Sequence, residues 1–479
     1  MGRMKSGLPS FSAGGLRDSA TARLRQVAWP PALLSALARL REGGHRAVLV
    51  GGSVRDALLG RPPHDVFDVA TDRQPADVIA RFERTEPIGL SHGTVLILLD
   101  DVRIECTTFR REGAYPDARH PESVAFTRDL KEDLARRDLT INALAWDPAS
   151  LDFTDPFGGL EDLERRVLRA VGDPSARFFE DALRPLRVAR FAATLGFEPE
   201  PGTRDALGAS PERASCVAPE RVRAELERLM AANRPSAGLE LLRESGLLER
   251  WMPELAHCVG VPQNRFHSHD VYGHSLQVCD AAPAAKPAVR WAALLHDIGK
   301  PDTREERAGD ATFYGHAEVG AALADTLLTR LRFANDARER IVHLVKEHMF
   351  DYRPVWSDAA LRRWLRRVGV EAVADLFDLR IADVIGNQRR AGLPAGLEEM
   401  RRRIEDLMTS EAVLRVRDLA VSGRDVMAML GIAEGPAVGA VLEALLEEVI
   451  EHPEVNERDE LLRRVRERGV PGVAGPREA

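Results

Sequence analysis

The chain has 479 residues, of which 44% are hydrophobic and 30% charged, and a formal net charge of -8 at pH 7. Such a length suits about three domains, and the negative balance excludes a polycation that holds RNA by bulk charge, so any RNA contact must come from local basic faces. No apolar run approaches the ~20 residues that span a bilayer, and Cys106, Cys216, Cys258 and Cys279 are scattered without metal-ligand spacing, which fits reduced thiols in a cytoplasm.

Residues 1–29 are rich in Gly and Ser and read as a disordered leader rather than a signal peptide. Leu33–Leu40 is a short amphipathic helix, and strands and helices alternate from there to about Asp147. The apolar run Ala47–Val50 reads as a buried strand closed by Gly51 and Gly52, with a helix-like segment Val54–Leu59 after it. Strand, paired glycines and helix make a phosphate cradle, because bare backbone can approach an anion and the helix N-terminus offers free N–H groups. Arg55, one turn in, is placed to grip phosphate with its guanidinium fork. The next strand carries Asp65 and Asp68. Carboxylates beside a phosphate cradle point to Mg²⁺-assisted phosphoryl or nucleotidyl transfer, since they are hard oxygen ligands. A plain glycine turn with two solvated aspartates fits this stretch equally well.

Thr94–Leu99 and Val102–Thr107 read as a strand pair across the turn Asp100–Asp101. Alternation in the second strand puts Arg103, Glu105 and Thr107 on one face, which makes Glu105 a candidate third carboxylate. Arg111–Phe126, rich in Gly, Pro and charge, reads as a long mobile loop of a kind that is often functional. Leu134–Asp147 sets Arg137 and Asp138 before a helix-like TINALA, whose Asn142 needs a hydrogen-bonding partner if it is buried.

From Leu160 to about Leu255 the pattern is helical. Arg177–Phe197 reads as one helix in which Asp181, Arg184, Arg187 and Arg190 recur every third residue, so Asp181 and Arg184 are neighbours on one face. Such a pair accepts from an exocyclic amine and donates to the adjacent ring nitrogen. Cytosine and adenine satisfy it, whereas guanine and uracil present the opposite polarity. The same spacing also describes an ordinary surface ion pair.

The segments GGSVRDALLGR, RIECTTFRREGAYPDARHP, DLARRDLTINALAWD, FGGLEDL and EDALRPLRVARFAATLGF occur in that order. Together they resemble the class II tRNA nucleotidyltransferase and bacterial poly(A) polymerase family over about Leu33 to Leu255. The resemblance implies an α+β fold: a polymerase-β-like nucleotidyltransferase head of mixed sheet with helices, then an all-α neck and body. It implies that Gly51, Gly52 and Arg55 bind the triphosphate, that Asp65 and Asp68 bind the catalytic Mg²⁺, with Glu105 the candidate third catalytic carboxylate beside them, and that Arg137 contacts the nucleotide. It further implies that Asp181, Arg184, Arg187 and Arg190 read the base and hold phosphates, the protein serving as its own template.

Two departures stand out. The family pattern is D-x-D, whereas this chain has Asp65-Val66-Phe67-Asp68. Strand residues three apart face opposite ways, so a β-bulge is expected to realign the two carboxylates. Pro185 lies inside the base-reading segment and is expected to kink its helix between Arg184 and Arg187.

In the second half, His274, the adjacent His296 and Asp297, and Asp383 give H…HD…D, a pattern similar to the HD phosphohydrolase superfamily. Mixed His and Asp ligation suits a divalent metal such as Mg²⁺, Mn²⁺ or Ni²⁺, and by the same resemblance His316 and His348 occupy the places of a second metal. A degenerate fold kept as a scaffold is the alternative. The chain thus divides into a leader (1–29), a head (30–160), a helical neck and body (161–262), an all-α HD domain (263–400) and a C-terminal helical module (401–479). The function expected is cytoplasmic addition of CCA to tRNA from CTP and ATP, with an HD phosphohydrolase activity, no membrane and no obligate protein partner. Retention of the Arg111–Phe126 loop, which CC-only enzymes by resemblance lack, opposes that variant. The alternatives are a poly(A) polymerase or A-adding enzyme, and an HD phosphohydrolase whose first half only binds RNA.

Overall fold

In the computed structural model, residues 13–62, 66–113, 122–263, 268–307, 310–350, 352, 355–387, 395–409 and 415–469 are described. The strands of the N-terminal region are, in chain order, β1 (Ala47–Val50), β2 (Val66–Thr71), β3 (Thr85–Gly89), β4 (Thr94–Leu99), β5 (Val102–Thr108), β6 (Arg110–Glu112), β7 (Val124–Phe126), β8 (Ala145–Asp147) and β9 (Asp152–Thr154). Seven form a mixed sheet in the order β3-β4-β5-β2-β1-β8-β9. β1 is apolar and buried at all four positions, as suits a strand with neighbours on both edges and both faces covered. The expected β4–β5 hairpin forms, and β2 lies parallel to β5 with Asp68 directly beside Glu105. The pairing runs unbroken from Val66 to Thr71. Asp65, and with it the expected bulge, lies outside the described residues.

Three local expectations are corrected. Ala13–Gln26, expected within a disordered leader, is a helix whose Ala20 and Leu24 are buried; Leu16, Ala20 and Leu24 recur every four residues and make one apolar stripe. The TINALA segment is a single 3₁₀ turn, Thr140–Asn142, running into β8, because pairing with β1 buries Ala145 and Trp146. Arg177–Phe197 is two helices, Pro174–Glu180 and Arg184–Leu195, with Asp181 extended between them at φ -131 and ψ 108. Pro185 therefore sits in the first turn of the second helix, where its missing N–H costs nothing, and the break falls before Arg184 rather than after it.

The Arg111–Phe126 segment is closed at its base by the antiparallel β6–β7 pair, and residues 114–121 lie outside the described residues. Two compact units divide the chain: Met1–Ala256 with Arg330–Phe333, and His257–Thr329 with Ala334–Ala479. The described part of the second unit is mainly helical. Its C-terminal helices pack Val441, Leu445, Val449 and Leu461 into one core that also takes in Ala359. Gly431, in the left-handed conformation, ends the helix Gly423–Leu430, a cap of ordinary kind.

Candidate nucleotide pocket and metal centre

β1 ends at Val50, and Gly51, with a φ of +61, turns the chain directly into the helix Gly51–Leu58. A side chain there would be strained by the backbone and would stand 2.8 Å from Arg137 Nη1 and 3.2 Å from Asp68 Oδ2. The bare backbone lets both groups close on the turn: Gly52 N–H donates to Asp68 Oδ2 at 3.2 Å, and Asp68 N–H to Ser53 Oγ at 2.8 Å.

This turn opens into a cavity of about 780 Å³ whose lining includes Gly51, Gly52, Asp68, Glu105, Arg137, Asp181 and Arg184. Among the described residues ten arginines line it against four carboxylates, so a chain of negative net charge here presents a place for a polyanion. Arg103, Glu105 and Thr107 all reach it, as the alternation of β5 requires. Glu105 is exposed to the cavity, yet desolvation by the walls around it and the Asp68 carboxylate beside it push its carboxyl above its ordinary range. Two carboxylates held this close fit a hard divalent cation, which would relieve their repulsion.

The arginines are held by named partners. Arg55 reaches the cavity, but its Nε and Nη2 donate to Asp56 at 2.9 and 2.7 Å and its Nη1 to Asn142 Oδ1 at 2.5 Å. Asn142 thereby finds the partner its burial demands, and its amide donates in turn to Asp138 Oδ1 at 2.9 Å. Burial alone would raise the Asp138 pKa, but Arg187, the Asn142 amide and Arg184 outweigh it and hold the carboxyl well below its usual range. Arg187 donates to Asp138 Oδ2 at 2.7 Å and faces Glu225 at 3.5 Å. Arg190 pairs with Glu225 at 3.1 Å and stacks on Phe191 at 3.8 Å; burial and the neighbouring Arg187 bring its pKa down to about 10.

Asp181 and Arg184 both line the cavity but are not the helical neighbours expected. Asp181 pairs with Arg221 at 2.9 Å, and Arg184 with Glu180 at 2.5 Å and the Arg136 carbonyl at 2.9 Å. The residues the sequence reading missed sit mostly on the helix Pro219–Met230. Arg221, Glu225 and Arg228 recur there at four and three residues, on one face, beside the face of the buried Val222, Leu226 and Leu229. That amphipathic pattern was visible, but not what its polar face meets.

The second unit gathers the other expected set. His274 lies on the helix Val271–Ala281, His296 caps Pro287–Leu295, His316 opens His316–Arg330, His348 caps Asn335–Glu347 and Asp383 lies on Val370–Gly386. Gly299 allows the convergence: a Cβ there would stand 2.3 Å from the His316 carbonyl and 2.5 Å from Gly320 N. Asp297 is the hub, 3.1 Å from His296, 3.7 Å from His274 and 3.5 Å from His316, while His274 stands 3.1 Å from Asp383.

The imidazoles are set for cation binding. Nδ1 of His296, His316 and His348 faces the carbonyls of Ala293, Phe313 and Val345 at 2.9, 2.8 and 2.6 Å. A carbonyl only accepts, so Nδ1 carries a proton; Nε2 of His316 and of His348 offers its lone pair, while Nε2 of His296, 3.1 Å from Asp297, holds a second proton until a cation displaces it. Nε2 of His316 and of His348 then face each other at 3.2 Å, a repulsive contact that a cation relieves. Burial, with the His296 charge nearby, takes His348 down to about 3. For Asp297, burial is outweighed by His296 and Lys300, which hold its carboxyl well below the ordinary value. His274, His296 and Asp297, and again Asp297, His316 and His348, are two groups able to hold a metal ion. Lys300, not anticipated from sequence, bridges Asp297 and Gln263 at 2.7 Å to each. No helix among the described residues is long and apolar enough to cross a membrane.

Three family models match the chain in order: a poly A polymerase head domain over residues 47–169, a probable RNA and SrmB-binding site of polymerase A over 196–258, and an HD domain over 266–392. The CCA-adding enzyme of Limosilactobacillus fermentum is 35% identical over 429 residues, covering 89% of this chain and 94% of that protein. The CC-adding tRNA nucleotidyltransferase of Thermus thermophilus is 39% identical over 417 residues, covering 83% and 88%. The crystal structure of a Bacillus stearothermophilus CCA-adding enzyme in complex with CTP matches with a TM-score of 0.71 at 31% identity, over 92% of this chain and 98% of that one.

Proposed function

The chain belongs to the class II tRNA nucleotidyltransferase and bacterial poly(A) polymerase family with a fused HD domain, and from that premise we propose that it completes tRNA 3′ ends with CCA, using CTP and ATP and no nucleic-acid template. The observation that carries this reading is one cavity lined by the glycine turn, the Asp68 and Glu105 carboxylates, and Asp181 with Arg184. The triphosphate lies against the Gly51–Gly52 backbone and Arg137, and the base against Asp181 and Arg184. The tRNA 3′-hydroxyl attacks the α-phosphorus, the bond to the β-phosphate breaks and pyrophosphate leaves. Asp68 and Glu105, with Asp65, would hold Mg²⁺, which supplies neutralisation of triphosphate charge and a lower pKa for the attacking hydroxyl. The arginines, already fixed by carboxylate partners, face developing phosphate charge without reorganising. Action on tRNA supports a cytoplasmic location.

Purified protein incubated with tRNA lacking its CCA end tests this. Two additions with CTP and a third with ATP support the reading. Two additions with CTP and no third would make it a CC-adding enzyme, the activity named for the Thermus relative; additions from ATP alone would make it an A-adding enzyme or poly(A) polymerase.

The second unit carries a second proposed activity, hydrolysis of phosphate esters on nucleotides or RNA ends. His274, His296, Asp297 and Asp383 serve as ligands of a divalent metal, with His316 and His348 completing a second site. The convergence of buried imidazole Nε2 atoms on Asp297 supports it. Metal analysis of the purified protein, with phosphatase and phosphodiesterase assays in Mg²⁺, Mn²⁺ and Ni²⁺, tests it; activity with none of them would leave a scaffold.

A further inference from the structure

We propose that Arg221 is a specificity-determining positioning residue, acting through the carboxylate of Asp181; this rests on the reading of Asp181 and Arg184 as the base-reading pair. Asp181 is extended between two helices, so no helical turn sets the direction of its side chain. Three donors set it instead. Leu183 N–H donates to Oδ1 at 3.1 Å, and the Arg221 fork reaches Oδ2 at 2.9 Å and Oδ1 at 3.4 Å.

A carboxylate has about four lone-pair sites. With three engaged by donors among the described residues, one acceptor position remains, on Oδ2, and it matches one exocyclic N–H of cytosine or adenine. The carbonyl oxygen of uracil or guanine at the same place meets a second acceptor and is repelled. Arg184 is held separately by Glu180, the Arg177 carbonyl and the Arg136 carbonyl, so Arg221 acts on the reader through Asp181 alone. Arg221 comes from the first turn of the helix Pro219–Met230 and lines the same cavity. It does not need to touch the base to matter: without the fork the carboxylate can turn, and its lone pairs no longer have one address.

The experiment measures kcat/KM for single additions of CMP and of UMP to tRNA lacking its CCA end, in the full-length chain, for wild type, Arg221→Met and Asp181→Ala. Misplacing a reacting or recognition group by an ångström costs about 10²-fold, so Arg221→Met is expected to lower the CTP-over-UTP preference by about that factor. A merely structural ion pair would slow CTP and UTP alike, so an unchanged ratio, whether at reduced or full rate, overturns the proposal. If Arg221→Met does not fold, Arg221→Gln, which keeps the stem and one amide donor, is read by the same ratio. Asp181→Ala separates the two levels. If it too keeps wild-type strictness, the base-reading assignment falls; if it relaxes while the Arg221 variants do not, only the role of Arg221 falls.

Discussion

The two candidate centres use opposite designs. The nucleotide cavity is wide and crowded with arginines, nearly every one tied to a carboxylate or carbonyl of the protein, and its Glu105 is exposed. The HD centre is compact: His274, His296, Asp297, His316 and His348 are all buried and converge on one carboxylate. A cavity that must admit, turn and release a nucleotide needs room and pre-paired cations that do not collapse onto each other. A metal centre needs converging lone pairs held in fixed directions, with the part-exposed Asp383 leaving it open on one side. The difference teaches where each is fragile: the first through the orientation of its charges, the second through loss of any one ligand.

Asp68→Ala gives the largest expected effect. Metal-assisted stabilisation is worth several kcal/mol, so addition of CMP should fall by about 10³-fold or more, with tRNA binding kept in a filter-binding assay; Glu105→Gln should fall less. Wild-type addition by Asp68→Ala would remove this carboxylate from the account. The reciprocal variant, His296→Ala with Asp297→Ala, should lose bound metal and phosphohydrolase activity while CCA addition continues. Loss of both activities together would break the separation of the two centres.

Smaller effects test how the arginines are held. Arg187→Ala leaves the buried Asp138 without its principal partner; Arg187 itself is 31% exposed, so the cost is that of orphaning a buried acceptor, roughly 1–3 kcal/mol. Urea unfolding should show that loss in the first unit, together with slower addition of every nucleotide. A variant as stable as wild type would mean that Arg187 serves ligands and not the fold. Gly51→Ala forces a side chain into positive φ against Arg137 and Asp68. It should cost about 1 kcal/mol or more and lower addition, read by thermal melting and CMP incorporation; a neutral result would show that the turn has room that the backbone denies.

Much of this was legible in the amino-acid order, for identifiable reasons. β1, the glycine turn and the β4–β5 hairpin are local, and apolar runs, glycines and alternation announce them. The gathering of the HD histidines and aspartates was legible because each sits at or near a helix end in a recognisable motif. The Asp181–Arg184 geometry was misread because three-residue periodicity was extended through a helix break that Asp181 and Pro185 create together. Arg221, Glu225 and Asp138 were missed because their partners lie 38 to 49 residues away, and no periodic signal spans such a distance. The helix Ala13–Gln26 was hidden by a Gly- and Ser-rich neighbourhood, although its four-residue apolar stripe was present.

The central claim is that protein side chains, not a nucleic acid, choose the nucleotide in the first unit. Single-nucleotide incorporation on tRNA lacking its CCA end, with each of the four triphosphates, tests it on wild type and Asp181→Ala side by side. A site built on polar matching discriminates by about 10⁴-fold or more, so the wild type should use CTP and reject UTP and GTP, and Asp181→Ala should raise relative UTP incorporation by orders of magnitude. An Asp181→Ala enzyme that is slower yet equally strict would contradict the account and return the pair to an ordinary structural role.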